Sequence, residues 1–275
     1  MSRRWRAARR HQTFVLGFTL TLLIVLVALL SLVYTPKDPL QMDIARRLLG
    51  PSAGHPLGTD QYGRDLLSRV MRGAVGSLTV GAVSVGLALS LGVLVGTLGG
   101  YVGGWLDEAL MRVMDAVYGF PAILSALLVT AVFGPGVVIS MVAVGVASVP
   151  IFARLTRASV LALRGQEFVL AARALGAGDG TIVRRHILPN TLAPLIVQAT
   201  ISFPIAILAE AALSYLGLGT QPPNPSWGLM LKEAQSFLGL SPGYAVFPGA
   251  AIALAVLGFN LLGDGLRDLL DPRAS

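Results

Sequence analysis

Long uncharged apolar runs set the terms on which this chain can fold. Residues 14–34, 73–100, 116–153 and 245–263 contain no Asp, Glu, Lys or Arg, and residues 191–218 contain only Glu210. A run of about 20 apolar residues matches the hydrocarbon thickness of a bilayer. In that medium the backbone must satisfy its own hydrogen bonds, which selects helices for runs of this kind. A mean hydropathy of +0.73 and a charged fraction of 13% agree with membrane residence. The expected fold is therefore an all-α integral membrane protein.

The 116–153 run is too long for one helix and is broken by Gly134, Pro135 and Gly136, so it reads as two helices around a tight turn. Six transmembrane helices result, with both termini on one side. The expected organisation is a tail over 1–13, a first span over 14–34 and an external polar segment over 35–72. A core transmembrane domain over 73–265 follows, containing a polar loop at 154–190, and a tail over 266–275 closes the chain. Arg3, Arg4, Arg6, Arg9 and Arg10 before the first span, and the arginines of the 154–190 loop, place the termini and that loop in the cytoplasm. Lys37, Arg46, Arg47, Arg64, Arg69 and Arg72 in the external segment run against that rule, though Asp38, Asp43, Asp60 and Asp65 are interspersed among them. The first run ends in Val33, Tyr34, Thr35 and Pro36 rather than in a small-x-small cleavage site, so it reads as a retained helix, not a signal peptide.

The net charge of +7 sits mostly on arginines scattered between the runs, which suits a membrane surface rather than nucleic acid. With no cysteine the chain has neither disulfides nor thiolate metal sites. Helix packing must then hold it together. Ser84, Ala88, Gly92, Gly96 and Gly100 form a ladder of small residues at four-residue spacing, the pattern that lets two helices approach backbone to backbone in lipid.

The 154–190 loop is built like a folded unit. Residues 166–175 favour helix, with Phe168, Ala171, Ala172 and Leu175 on one face, and Gly176 stands where a helix end calls for positive φ. Asp179 is placed to cap a second short helix running to Pro189. Such a knob, with Arg157, Arg164, Arg173, Arg184 and Arg185 around it, suits a groove on a soluble partner.

Ala171, Ala172 and Gly176 followed by Leu188 and Pro189 resemble the EAA loop of permease subunits in binding-protein-dependent ABC importers. Leu170 stands where that motif has its first Glu, with Glu167 one turn earlier, and His186 where Ile is usual. Residues 55–65, Phe120-Pro121, the 213–228 run with Gln221, Pro222, Pro223, Pro225, Ser226 and Trp227, and residues 259–268 resemble the second permease subunit of the dipeptide, oligopeptide and nickel branch. The resemblance implies a type I importer permease in a prokaryotic inner membrane. Its implied partners are a sister permease subunit, two ABC ATPases and an external substrate-binding protein. Glu167, Ala171, Ala172, Arg173, Gly176 and Asp179 would form the ATPase-coupling site, and ATP and Mg would be held by the partner ATPases. The residues agree that this chain is no ATPase: its lysines, Lys37 and Lys232, follow no glycine-rich loop and precede no Ser or Thr. No catalytic residue, cofactor or metal site is expected. The implied cargo is a peptide, with nickel or a peptide-like metabolite such as glutathione as the alternative.

Glu210 is the one acidic residue within an apolar run, and a charge there costs about 2.5–3.5 kcal/mol at mid-bilayer. It either faces the translocation path or is hydrogen-bonded between helices. His11, His55 and His186 lie outside the runs and form no intramembrane cluster, which argues against a membrane protease. A secondary transporter would show inverted repeats and midplane ionisable groups, and neither is evident. Residues 222–227 read as a rigid external turn, with Trp227 an interfacial anchor or a contact for the binding protein.

Overall fold

The computed structural model describes residues 3–270, with side chains described from Gln12 onward; the N-terminal arginines and His11 lie outside the described side chains. In chain order the helices are α1 (Arg3–Val33), α2 (Leu66–Val102), α3 (Gly104–Tyr118), α4 (Ala122–Phe133), α5 (Val137–Leu163), α6 (Glu167–Ala174), α7 (Asp179–Ile182), α8 (Leu188–Tyr215), α9 (Trp227–Ala234) and α10 (Gly243–Leu270). Among the described residues α1 (from Gln12), α2, α5, α10 and the helical run Asp179–Tyr215 that ends in α8 are long and apolar enough to cross a bilayer. The pair α3 and α4, bent by 86°, makes a sixth where the two are counted as one broken span. At 12 residues α4 rises only about 18 Å, short of the roughly 30 Å hydrocarbon core, so it needs a companion.

The expected break at residues 134–136 is present, between α4 and α5. Residues 101–115, which lie between two of the uncharged runs, mostly belong to the amphipathic helix α3. Its inward face, Met111 and Met114, packs with Leu87, Val95, Val149 and Ala153 at the junction of α2 and α5. The first helix also begins earlier than expected, at Arg3.

α2 is the centre of the bundle and makes its most extensive contact with α5. The small-residue ladder is that contact. A Cβ on Gly92 would lie 2.4 Å from the Phe152 side chain, and one on Gly96 would lie 2.3 Å from the Ala153 carbonyl. Ser84 Oγ donates to the Met141 carbonyl at 2.9 Å, extending the seam toward the start of α5. A second close seam joins α1 to α10, where Gly17 meets the backbone of Leu261 and Leu262, and Gly265 meets Phe14. That seam brings the N- and C-terminal helices to the same end of the bundle.

At that end lie the close of α2, the close of α5 and the 164–188 segment; at the other lie residues 35–65, the 134–136 turn and α9. The far end is tied by Gly136 N–H donating to the Leu218 carbonyl at 3.0 Å. Its polar segment divides: residues 36–54 are largely exposed, whereas His55, Thr59, Asp60, Arg64 and Asp65 are buried and form a polar knot with Arg69 of α2. Asp60 accepts from Arg64 Nε at 2.5 Å and from the backbone N–H groups of Tyr62 and Arg64, and Arg69 donates to Glu233 of α9 at 2.7 Å. Tyr244 at the start of α10 closes the cluster through Glu233 at 3.0 Å and through Gln61. Burial opposes the charge of Arg64, but Asp60 and Glu233 outweigh it and hold its pKa above the ordinary value. Asp65 caps α2 by accepting from Ser68 N–H at 2.9 Å and also meets His55 Nδ1 at 3.0 Å.

Trp227 departs from expectation. It is 2% exposed, donates from Nε1 to the Val70 carbonyl at 3.0 Å, and packs over Gly73, so it is a core residue joining α9 to α2 and no interfacial anchor. An indole N–H finds a partner when buried, and here α2 supplies it. The turn at 222–226 serves to launch α9, with Ser226 Oγ as its N-cap, accepting from Leu229 N–H at 3.2 Å.

Because the α2–α5 seam is closed at backbone distance, Gly96→Leu should overpack it by about 1–3 kcal/mol or more and lower the melting temperature in detergent. Gly86→Ala, where a Cβ meets nothing within 4 Å, should leave the melting temperature within error of the parent. Equal melting temperatures for the two variants would refute the seam.

Candidate functional site: the loop between α5 and α8

α5 continues unbroken to Leu163, so Arg154, Arg157 and Arg164 belong to or adjoin its last turns rather than to a loop. Arg157 and Arg164 turn back into the bundle instead of ringing the knob. Arg157 makes a bidentate pair with Asp107 of α3, at 2.5 and 2.6 Å, and Arg164 donates to the Gly100 carbonyl at 3.1 Å. The knob proper is α6, α7 and a π turn over Val183–Ile187 that runs into α8.

The two short helices hold their shape through a small core of Val160, Val169, Ala172, Ile182 and Ile187, with Tyr101, Leu163 and Ala177 packed against it. α6 ends as the sequence foretells. Gly176 has φ +85°, its N–H donates to the Arg173 carbonyl, and the Ala177 N–H donates to the Ala172 carbonyl, both at 3.0 Å. This paired closure is the Schellman motif, and it demands left-handed backbone at the position glycine occupies. The cap of α7 differs from expectation. Gly178 is its N-cap, and Asp179 is the first helical residue with no capping bond of its own. The Asp179 carboxylate instead accepts from Tyr101 Oη at 2.5 Å, and Arg173 donates to the same hydroxyl at 3.2 Å. Arg173 and Asp179 thus tie α6 and α7 to the end of α2.

The apolar face expected on α6 divides in two. Ala172 and Val169 turn inward, whereas Phe168, Leu170 and Leu175 are 41%, 51% and 88% exposed, with Ala171 exposed between them. Glu167 is exposed in the first turn, where a carboxylate suits the helix dipole. Arg184 and Arg185 of the π turn line a shallow basic recess with Gly178, Gly180 and Thr181 of α7 and its N-cap. The site therefore presents an exposed apolar stripe on α6 and a basic recess on the neighbouring turn, at the end of the molecule where α1 begins and α10 closes. His186 is part-buried on the π turn, and its carbonyl accepts from Asn190 Nδ2.

Glu210 lies elsewhere, in the upper half of α8, and is fully buried. Its carboxylate accepts from Ser77 of α2 at 3.2 Å, Ser214 at 2.6 Å and Thr220 at 3.3 Å. The Ser214 hydroxyl also accepts from the Thr220 N–H at 2.9 Å, so one carboxylate holds α2, α8 and the loop after α8 together.

Sequence reasoning overlooked Tyr101, Asp107 and Asp115. The signal lies in α3, whose Asp107, Leu110, Met111 and Met114 recur at helical spacing, but these residues fall outside the uncharged runs from which the spans are read.

Comparison with known proteins accords with this geometry. Residues 88–275 match the family described as the binding-protein-dependent transport system inner membrane component. The dipeptide transport system permease protein DppC of Alkalihalophilus pseudofirmus is 43% identical over 273 residues, covering 98% of this chain and 90% of that protein. The glutathione transport system permease protein GsiD of Escherichia coli O6:K15:H31 is 44% identical over 270 residues, covering 98% and 89%. The same-named protein of Pectobacterium atrosepticum is 43% identical over 270 residues, covering 98% and 90%. Among solved structures, a chain of the MetNI methionine ABC transporter in an inward-facing conformation aligns with a TM-score of 0.62 at 20% identity, over 75% of this chain and 98% of that one, which speaks for the fold alone. With five helices of spanning length and a bent sixth pair, a folded loop before α8 and kinship along nearly its whole length, the chain belongs to the binding-protein-dependent family of ABC transporter permease subunits.

Proposed function

We propose that this chain forms half of the translocation path of an ATP-driven peptide importer and couples it, through α6, to an ATPase subunit that hydrolyses the nucleotide. The observation that carries this reading is the outward stripe of α6. A cytoplasmic loop with no partner would turn Phe168 and Leu175 inward, yet here the small residues fill the knob's own core and the large ones face out. A helix offering apolar side chains one and two turns apart is the shape that enters a groove. Arg184 and Arg185 beside it suit an acidic rim on that groove.

The assembly then comprises this chain, a sister permease, two ATPases with ATP and Mg, and a substrate-binding protein at the opposite face, in a prokaryotic inner membrane with both termini cytoplasmic. Peptides are the cargo favoured by the kinship to the dipeptide permease, and glutathione, itself a small peptide, by the kinship to the glutathione permeases. Glu210, with three hydroxyls on its carboxylate, serves as the anchor of the loop after α8 rather than as a cargo ligand.

Reconstituted with its partners in proteoliposomes, the complex should accumulate labelled di- and tripeptides, glutathione among them, only when ATP reaches the ATPase side. Glu210→Gln should leave that uptake within about twofold of the parent, because an amide still bonds the same hydroxyls. ATP-independent uptake driven by an ion gradient would overturn the proposal, and loss of uptake in a normally assembled Glu210→Gln complex would return that residue to the path.

Gly176→Val should separate hydrolysis from transport. A side chain there meets no neighbour within 4 Å, so the cost is backbone strain alone, about 1–2 kcal/mol for left-handed geometry, and it falls on the hinge of the knob. Gly178→Ala, also free of neighbours but at φ −70°, should behave as the parent. Unchanged peptide uptake per ATP in Gly176→Val would sink the assignment of α6.

A further inference from the structure

From the contacts of α3 we infer that Asp107 and Arg157, supported by Asp115 and Arg154, are positioning residues that carry movement of the coupling knob to α4, the short membrane helix of the third crossing. This rests on the coupling reading above and adds the route by which the bundle answers. The last turns of α5 lead within three residues into α6, and Val160 of those turns is part of the knob's own core. One turn before Val160, Arg157 grips Asp107 with two charge-assisted bonds, at 2.5 and 2.6 Å. Another turn's length along, Arg154 donates to Asp115 at 2.8 Å and stacks over the Tyr118 ring at 4.4 Å.

The two pairs hold α3 at both its ends against a single stretch of α5, with Met111 and Met114 packed between them. A fork-to-fork arginine–carboxylate pair fixes orientation as well as distance, so α3 follows that stretch as one body. Beyond Tyr118 the chain bends by 86° at Gly119, Phe120 and Pro121 and enters α4. α4 itself lies against α5 and α8, with Ala126 and Leu127 in the core that includes Phe152, Leu195 and Leu213. α3 is thus a lever with one arm on the coupling end and the other on a helix too short to span alone. Asp107 also sits under the close of α2, where a Cβ on Gly99 would lie 2.8 Å from its carboxylate, which leaves the lever little freedom to slip.

The test uses the complete complex in proteoliposomes and measures three things: yield of assembled complex, ATP hydrolysis, and peptide imported per ATP. Asp107→Asn and Arg157→Gln should each assemble and hydrolyse ATP at least as fast as the parent while importing about tenfold less per ATP. The exchange Asp107→Arg with Arg157→Asp should recover most of the loss. Asp115→Asn, at the more exposed pair, should shift the same ratio less, and it provides the reading if the Asp107 variants assemble poorly. Variants that lower yield and melting temperature but leave import per ATP unchanged would show a purely structural clamp and overturn the inference. A parent complex that does not import with ATP would instead bring down the proposed function itself, and this inference with it.

Discussion

Everything in this molecule depends on the backbone-to-backbone approach of α2 and α5. In lipid, apolar side chains gain nothing by leaving their solvent, so two helices stay together only where close packing and shared hydrogen bonds exceed what lipid tails offer. Ala88, Gly92, Gly96 and Gly100 provide that approach along four turns, and Ser84 adds a bond to the Met141 carbonyl. The seam also fixes what hangs from each helix. The close of α2 brings Gly100 and Tyr101 to Arg164, Arg173 and Asp179 at the α6 end, while its start brings Val70 and Gly73 to Trp227.

Charge is handled oppositely at the two ends. At the far end Asp60, Arg64, Arg69 and Glu233 are enclosed, and removing one partner of such a cluster strands the others at about 3–5 kcal/mol. That arrangement joins residues 60–64, the start of α2, α9 and the start of α10. At the α6 end the pairs are exposed or part-exposed, as with Arg173 and Asp179, and in the proposed cycle they tie α3, α6 and α7 to the ends of α2 and α5. A buried cluster suits a scaffold, and surface pairs of low individual energy suit a joint.

Much of this was legible in the sequence because membrane physics leaves few options. Uncharged runs of spanning length mark most of the membrane helices, the four-residue ladder marks the seam, and Gly176 marks the end of α6. What escaped notice depended on tertiary partners. Trp227 reads as an interfacial residue by its neighbours in sequence, and only the approach of α2 at Gly73 and Val70 makes it a core residue. Asp179 has the character of a cap, but Tyr101, far away in sequence, takes its carboxylate. The charges of α3 reveal their meaning only once Arg154 and Arg157 stand opposite them. The face of α6 was seen as one apolar surface, whereas the fold divides it between the knob's own core and the outside.

That division is the centre of the functional account, and the lack of any cysteine in the chain makes it directly testable. Leu175→Cys or Phe168→Cys supplies a single thiol on the outward stripe of α6, and Val169→Cys supplies one on the buried side. In membranes containing the partner subunits, a short bifunctional reagent should join Leu175→Cys and Phe168→Cys to an ATPase chain, with yields that change when ATP is added, and should leave Val169→Cys unreacted. Cross-linking to no ATPase from either outward position, in complexes that still import with ATP, would contradict the assignment of α6 as the coupling element.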